Sequence, residues 1–213
     1  MGWNGYIGSV WRDVFTQCNL SRCASVVEVA PGGTDKIGLG LQWMGFRGTL
    51  FLVEPNAMAL KQTVVAYRRL LPDASIVPIM AKLDEATNRI GPVDAIVANH
   101  PLDDMLIAES VDMSFFDDHY AAPAEATDRA WHGAAGLDRA KRKTVDAWSA
   151  LVNRCHPSLL AISQYRSHFF RSHGLDAPDR NALEVLSAMS IQWHRRSLRL
   201  DVDEPNRWLV ATA

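Results

Sequence analysis

The chain has 213 residues, 48% of them hydrophobic and 22% charged, with a formal net charge of −2. That is enough apolar material for one large buried core, and a single domain over 1–213 is expected. The charge gives no general attraction to nucleic acid, although a local basic patch stays open. Three cysteines (Cys18, Cys23 and Cys155) form an odd set without C-x-x-C spacing, which argues against a disulfide framework and a structural zinc site. Residues 1–15 lack the basic start and apolar run of a signal peptide, and no stretch approaches the roughly 18–20 apolar residues of a membrane span. A reducing, cytoplasmic setting is expected.

In chain order, 7–20 reads as a helix, with Ile7, Val10, Trp11, Val14 and Phe15 on one face. A short buried strand follows at 25–30 (SVVEVA), then a turn at Pro31, Gly32 and Gly33. Thr34 or Asp35 can cap a helix running to about Met44. Strands are predicted at 49–53, 75–80, 94–98 and 159–163, and helices at 56–71, 84–89, 138–154 and 176–189. The segment 101–136 is less regular and reads as an insertion or lid over about 103–136. Two strands at 191–200 and 207–211 are expected to form an antiparallel pair through Asp203, Glu204 and Pro205. Alternating strands and helices predict a three-layer α/β/α sandwich. Its sheet would have seven strands, mostly parallel, with the last one reversed.

The strongest local signal is V-V-E-V-A-P-G-G-T at 26–34, where a strand gives way to a helix. Gly32 and Gly33 let the backbone turn sharply and approach a ligand, and the helix start directs free N–H groups to the same place. Glu54 ends the second strand, 21 residues after Gly33. A carboxylate there can accept two hydrogen bonds from ribose hydroxyls, as in a nucleoside-binding βαβ unit. Glu28 facing the turn disfavours a pyrophosphate, which is itself anionic.

These residues resemble the motifs of class I, Rossmann-like S-adenosylmethionine-dependent methyltransferases. E-V-A-P-G-G-T at 28–34 resembles the first motif of that family. L-F-L-V-E-P-N at 50–56 is similar to the second, and D-A-I-V-A-N-H-P-L at 94–102 to the fourth. The resemblance covers about 25–102 by motif, and the remainder by the order of elements. It implies strand order 3-2-1-4-5-7-6 and S-adenosyl-L-methionine as cofactor. It implies a cofactor site at Glu28, Ala30, Pro31, Gly32, Gly33, Thr34, Glu54, Pro55, Lys82, Leu83 and Asn99. Ala30 and Thr34 stand where the family carries its outer glycines. The third strand leads into A-K-L-D, so Lys82, Leu83 or Asp84 takes the adenine-contacting place. A carboxylate such as Glu28 also suits the cofactor's ammonium, with a gross attraction of about 4 kcal/mol at roughly 4 Å and an effective dielectric near 20.

For the chemistry itself, Asn99, His100, His119 and Tyr120 are candidates. Asn99 can orient the acceptor, and His100 or His119 can take a proton from a hydroxyl acceptor. His100 is equally readable as a packed histidine, and Trp131 and His132 can line the same pocket. Trp3, Asn4, Tyr6 and Trp11 can fold over the cofactor or simply anchor the first helix. Gln164 and Tyr165 lie on the acceptor edge. No metal is expected: Asp117, Asp118 and His119 lack a completing ligand, and His168 and His173 are badly spaced for one helical face.

The expected activity is methyl transfer to nitrogen or oxygen of a small molecule. Methylation of RNA or protein stays open through the basic run at 139–143 (RAKRK). A non-catalytic cofactor-binding partner subunit stays open too, as does a homodimer. A nicotinamide-dependent reductase is disfavoured by Glu28.

Overall fold

The computed structural model describes residues 2–109, 136–167, 171–172, 174, 176–193, 198–202 and 204–212. In order the elements are α1 (Trp3–Gln17), β1 (Ser25–Val29), α2 (Lys36–Trp43), β2 (Thr49–Val53), α3 (Ala57–Leu70), β3 (Ser75–Ile79) and α4 (Leu83–Ala86), which runs into a 3₁₀ turn at Thr87–Arg89. Then come β4 (Ala95–Asn99), α5 (Leu102–Ala108), α6 (Leu137–Cys155), β5 (Leu159–Ser163), α7 (Asp176–Gln192) and β6 (Trp208–Thr212).

Six strands form one sheet in the order β3-β2-β1-β4-β5-β6. The first five run parallel, and β6 is antiparallel to β5, with Ala161 opposite Val210. The side chains of the inner strands alternate between two cores, as the period of two requires. Val27, Val29, Ile96, Ala98, Leu160 and Ile162 face one core, which is closed by α4, α5, α6 and α7. Val26, Ala95, Val97, Leu159 and Ala161 face the other, which is closed by α1, α2 and α3. Helices therefore cover both sides of the sheet, and β4 and β5, buried at every position, are apolar except for Asn99 and Ser163 at their ends.

The α1 stripe is as read from the sequence: Ile7, Val10, Trp11, Val14 and Phe15 are all buried. It lies unusually close to α2. A Cβ on Gly40 would stand 2.8 Å from Trp11 Cβ and 3.0 Å from the Arg12 amide nitrogen.

One expectation is corrected. The sheet has six strands among the described residues, and the seventh, expected at 191–200, is not among them. Ile191 and Gln192 instead complete α7, whose buried positions Ala182, Val185, Leu186 and Met189 keep helical spacing up to that point. The alternation of Leu198, Leu200 and Val202 that suggested a strand is real, since all three pack on the α1 side. The backbone of the intervening Arg199 and Asp201, however, bonds to side chains. Gln17 donates to the Arg199 carbonyl at 2.9 Å and accepts from its amide at 3.0 Å, while Tyr6 donates to the Asp201 carbonyl. A glutamine amide supplies one donor and one acceptor, as a neighbouring strand would. The expected lid over about 103–136 begins within the described residues. Residues 103–108 belong to helix α5. The rest of that expectation, from 110 to 135, lies outside the described residues.

Candidate active site

Strand parity decides where each candidate side chain goes. Glu28 shares the parity of Val26, so it turns towards the α2 and α3 layer. It is buried there at 1% exposure. Tyr67, from the buried face of α3, donates its hydroxyl to Glu28 Oε1 at 3.1 Å and accepts from the Gly38 amide at 3.0 Å. Glu28 Oε2 is buried without a hydrogen-bond partner among the described residues. Burial pushes the Glu28 carboxyl up to about 8, with Tyr67 opposing and the Glu54 charge reinforcing the rise. Burial beneath the turn thus favours the protonated form of Glu28, with Tyr67 opposing it.

The turn itself is open. Ala30, Gly32 and Gly33 all have positive φ, at 51°, 59° and 74°. A Cβ on Gly32 would meet nothing closer than the Ala30 carbonyl at 3.9 Å, so no side chain plugs the bend. Gly33 backs onto α3, with Gln62 Oε1 2.9 Å from where its Cβ would be. Thr34 Oγ1 donates to the Pro31 carbonyl and does not cap α2. Asp35 occupies the N-cap position without a side-chain cap bond, and its carboxylate instead accepts from Asn4 Nδ2 at 2.8 Å.

Glu54 sits where β2 ends. Its Oε2 accepts from the Gly32 amide at 3.1 Å, and its Oε1 accepts from the Asn56 amide at 2.9 Å. Burial raises the Glu54 pKa, and those two amides oppose the rise. The carboxylate lines a cleft of about 970 Å³, measured to its open mouth. Val29, Val53, Ala81 and Leu83 make an apolar wall, and Ala30, Gly32, Pro55 and Lys82 border the same space. At the rim Lys82 donates to the Ala108 carbonyl, and Lys143 lies 2.7 Å from Glu109 and 3.7 Å from Asp84. Of the sequence candidates, Ala30, Gly32, Glu54, Pro55, Lys82 and Leu83 thus line one cavity. Glu28, Pro31, Gly33, Thr34 and Asn99 do not border it.

Asn99 is the last residue of β4 and His100 the next, and both meet Tyr165. Asn99, with the parity of Ala95 and Val97, faces α1: its Oδ1 accepts from Trp11 Nε1 at 3.0 Å and Ser163 Oγ at 3.2 Å. Its Nδ2 donates to the Tyr165 hydroxyl at 3.1 Å, which also accepts from Lys36 Nζ at 2.7 Å. His100 adopts φ 60° and turns towards α5, where its Nδ1 is 3.2 Å from Asp103 Oδ1. Its ring lies 4.6 Å from that of Tyr165, and Trp3 meets the Tyr165 ring edge-on at 5.4 Å. The first helix therefore contributes Trp3, Asn4 and Trp11 to this end of the sheet.

His119, Tyr120, Trp131, His132, Asp117, Asp118, His168 and His173 fall outside the described residues. Among the described residues no group of three or more His, Cys, Asp or Glu is placed to hold a metal, and no helix is long and apolar enough to cross a membrane. Tyr67, Lys36 and Asp103 were missed by sequence reasoning. Tyr67 was findable from the apolar stripe Leu60, Thr63, Tyr67. Asp103 was findable from its spacing of three from His100.

No family model matches the chain, and no curated protein matches it by sequence. Solved structures do match by fold. The methyltransferase domain of bacterial CtHen1-CN aligns with a TM-score of 0.55 at 12% identity, over 97% of this chain and 100% of that one. SMU.1697c from Streptococcus mutans, in complex with SAH, aligns with a TM-score of 0.53 at 14% identity, over 94% of each chain. WbdD, crystallised with the kinase inhibitor LY294002, aligns at 0.52 and 10% identity over 96% of this chain. This chain spans 39% of its length. The chain has the α/β fold of the class I, Rossmann-like methyltransferases.

Proposed function

We propose that this chain is an S-adenosylmethionine-dependent methyltransferase, a single domain over 1–213 that methylates a small molecule in the cytoplasm. The observation that carries the reading is Glu54, held by the Gly32 and Asn56 amides at the edge of the cleft. Each carboxylate oxygen uses one lone pair on an amide and keeps another for a ribose hydroxyl. The apolar wall of Val29, Val53, Ala81 and Leu83 suits a purine face, and the unplugged bend at Gly32 suits close backbone approach. The residues present therefore fit the nucleoside group.

When bound, adenosylmethionine supplies an electrophilic methyl carbon. The work of this chain is positional. Glu54 fixes the ribose, and Lys82 and Leu83 border the base. The buried row Trp11–Asn99–Ser163 holds the end of β4 rigid, so that Asn99 presents its amide to the acceptor side through Tyr165.

The basic run favours a small acceptor over RNA. Lys141 is paired with Glu184, and Lys143 with Glu109, so half the cations of R-A-K-R-K are already neutralised by neighbours. Phosphate contacts need free ones.

Thermal shift with S-adenosylhomocysteine and with NAD tests the reading. Homocysteine-linked adenosine raises the melting temperature in proportion to the logarithm of its concentration, and NAD leaves it unchanged. Stabilisation by NAD alone removes the proposal.

A further inference from the structure

The acceptor side of β4 carries a proton-handling pair that methyl transfer to an amine does not require. His100 stands one residue past the end of β4 and meets both α5 and the Tyr165 ring. There its Nδ1 lies 3.2 Å from Asp103 Oδ1. Asp103 is 2% exposed. It is held in turn by Gln164, whose Nε2 donates to the same Oδ1 at 3.0 Å. Gln164 is wholly buried, and its own Oε1 accepts from the Leu102 amide at 3.0 Å. The chain Leu102–Gln164–Asp103–His100 thus runs from backbone to imidazole with each donor matched to an acceptor. It fixes the Nδ1–H form of a neutral ring, because Asp103 can only accept there. The other nitrogen, Nε2, is then a bare lone pair. It is buried and has no hydrogen-bond partner among the described residues. His100 also holds a left-handed backbone, φ 60°, that a non-glycine residue adopts at a cost.

We propose that His100 is the proton acceptor for a hydroxyl group on the methyl acceptor, with Asp103 as its positioning residue and Gln164 fixing Asp103. This deepens the methyltransferase reading and rests on it. The acceptor's O–H proton passes to His100 Nε2 as the oxygen–carbon bond forms. The sulfur–carbon bond breaks, and sulfur keeps the bonding pair. His100 then returns the proton to solvent, so the products are a methyl ether, the thioether and one proton. An amine needs no such partner, since it sheds its proton after transfer. The charged and titratable groups around the ring are Asp103, Asp104 and Lys36; the carboxylates favour its protonated form, and burial and Lys36 oppose it.

Two measurements on the full chain test this. Long-range proton–nitrogen NMR, with His100 assigned by loss of its signals in His100→Gln, reads the tautomer and titration midpoint with and without S-adenosylhomocysteine. The expected result is a neutral ring protonated on Nδ1 and a midpoint above the ordinary 6.5, shifted down in Asp103→Asn. A neutral ring protonated on Nε2, or a midpoint indifferent to Asp103→Asn, overturns the pair. Because this readout works on the free chain, it is distinct from failure of the nucleoside site, which shows as loss of S-adenosylhomocysteine binding. The second measurement offers carbon-13 methyl-labelled adenosylmethionine and a mixture of catechol and 1,2-diaminobenzene. An O-methyl product supports the assignment. An N-methyl product, or no O-methyl product in enzyme that binds S-adenosylhomocysteine, overturns it.

Discussion

The Gly32 amide donates to Glu54 Oε2 across 3.1 Å, tying the glycine bend after β1 to the acid that ends β2. The bond orients the carboxylate before any ligand arrives, because the Asn56 amide holds the other oxygen. Pre-orientation of this kind spares the side-chain ordering cost on binding.

Loss of that carboxylate should weaken nucleoside binding directly. Glu54→Ala is expected to lower S-adenosylhomocysteine affinity on the order of 1–3 kcal/mol, the range for charge-assisted hydrogen bonds. The Glu54 pKa lies above its ordinary 4.5, so affinity should fall as pH is lowered through that raised value. Glu54→Gln should flatten this pH dependence. Calorimetric titrations across pH 5–8 read both effects, and unchanged affinity in the alanine variant removes the ribose role.

Glu28 makes a pH-dependent contribution of the opposite kind to that of a paired surface acid. Its carboxyl titrates near 8 in the folded chain and near 4.5 when unfolded. Below 4.5 both states are protonated and there is no effect. Between the two values the folded chain holds a proton that the unfolded chain has lost, so stability falls as pH rises, and the cost saturates above about 8. Proton affinities differing this much correspond to something on the order of 5 kcal/mol. Glu28→Gln should therefore match the parent protein near pH 4 and exceed it in stability at pH 8. Urea denaturation at the two pH values checks it; equal midpoints at pH 8 would mean that Glu28 ionises freely.

Ala30 occupies the left-handed region at φ 51° while donating its N–H to the Val53 carbonyl at 2.8 Å. A Cβ in that conformation costs roughly 1–2 kcal/mol. Ala30→Gly keeps the hydrogen bond and relieves the clash, and it should raise stability by about 1 kcal/mol despite the added freedom of the unfolded chain. A lower denaturation midpoint would show that the Ala30 methyl group packs well enough to offset its strain.

Much of this architecture was legible because burial on both sheet faces leaves unbroken apolar runs. TLFLV at 49–53 and LLAIS at 159–163 coincide with β2 and β5. The α1 stripe was equally plain. The misread strand at 191–200 shows the limit: alternation reports which residues face the core, and says nothing of whether a strand or the side chain of Gln17 satisfies the backbone. The site divides in the same way. Glu54 and Gly32 were readable from their spacing. The raised pKa of Glu28 was not, because it comes from burial by elements distant in sequence, among them α3, whose Tyr67 stands 39 positions away. The Asp103–Gln164 contact joins residues 61 apart, and no local pattern announces it.

A last prediction concerns what anchors the antiparallel edge. Arg207 precedes β6, is 3% exposed, and meets Asp179 of α7 in a two-pronged pair, Nη1 to Oδ1 at 2.6 Å and Nη2 to Oδ2 at 2.9 Å. Nη1 also donates to the Gln164 carbonyl at 3.3 Å, so the guanidinium links α7 to the end of β5. Stranding a buried charge costs about 3–5 kcal/mol. Asp179→Ala should lose less than that, because Glu204 Oε2 stays 2.7 Å from Arg207 Nε and keeps the guanidinium paired. Arg207→Lys should rescue little of what Arg207→Ala loses, since an ammonium cannot make the planar double contact. Guanidinium denaturation of the three variants reads the difference. A lysine variant as stable as the parent protein would reduce the pair to simple charge, and the link to Gln164 would then have to be carried by the backbone bond from the Gln164 amide to the Arg207 carbonyl at 2.8 Å.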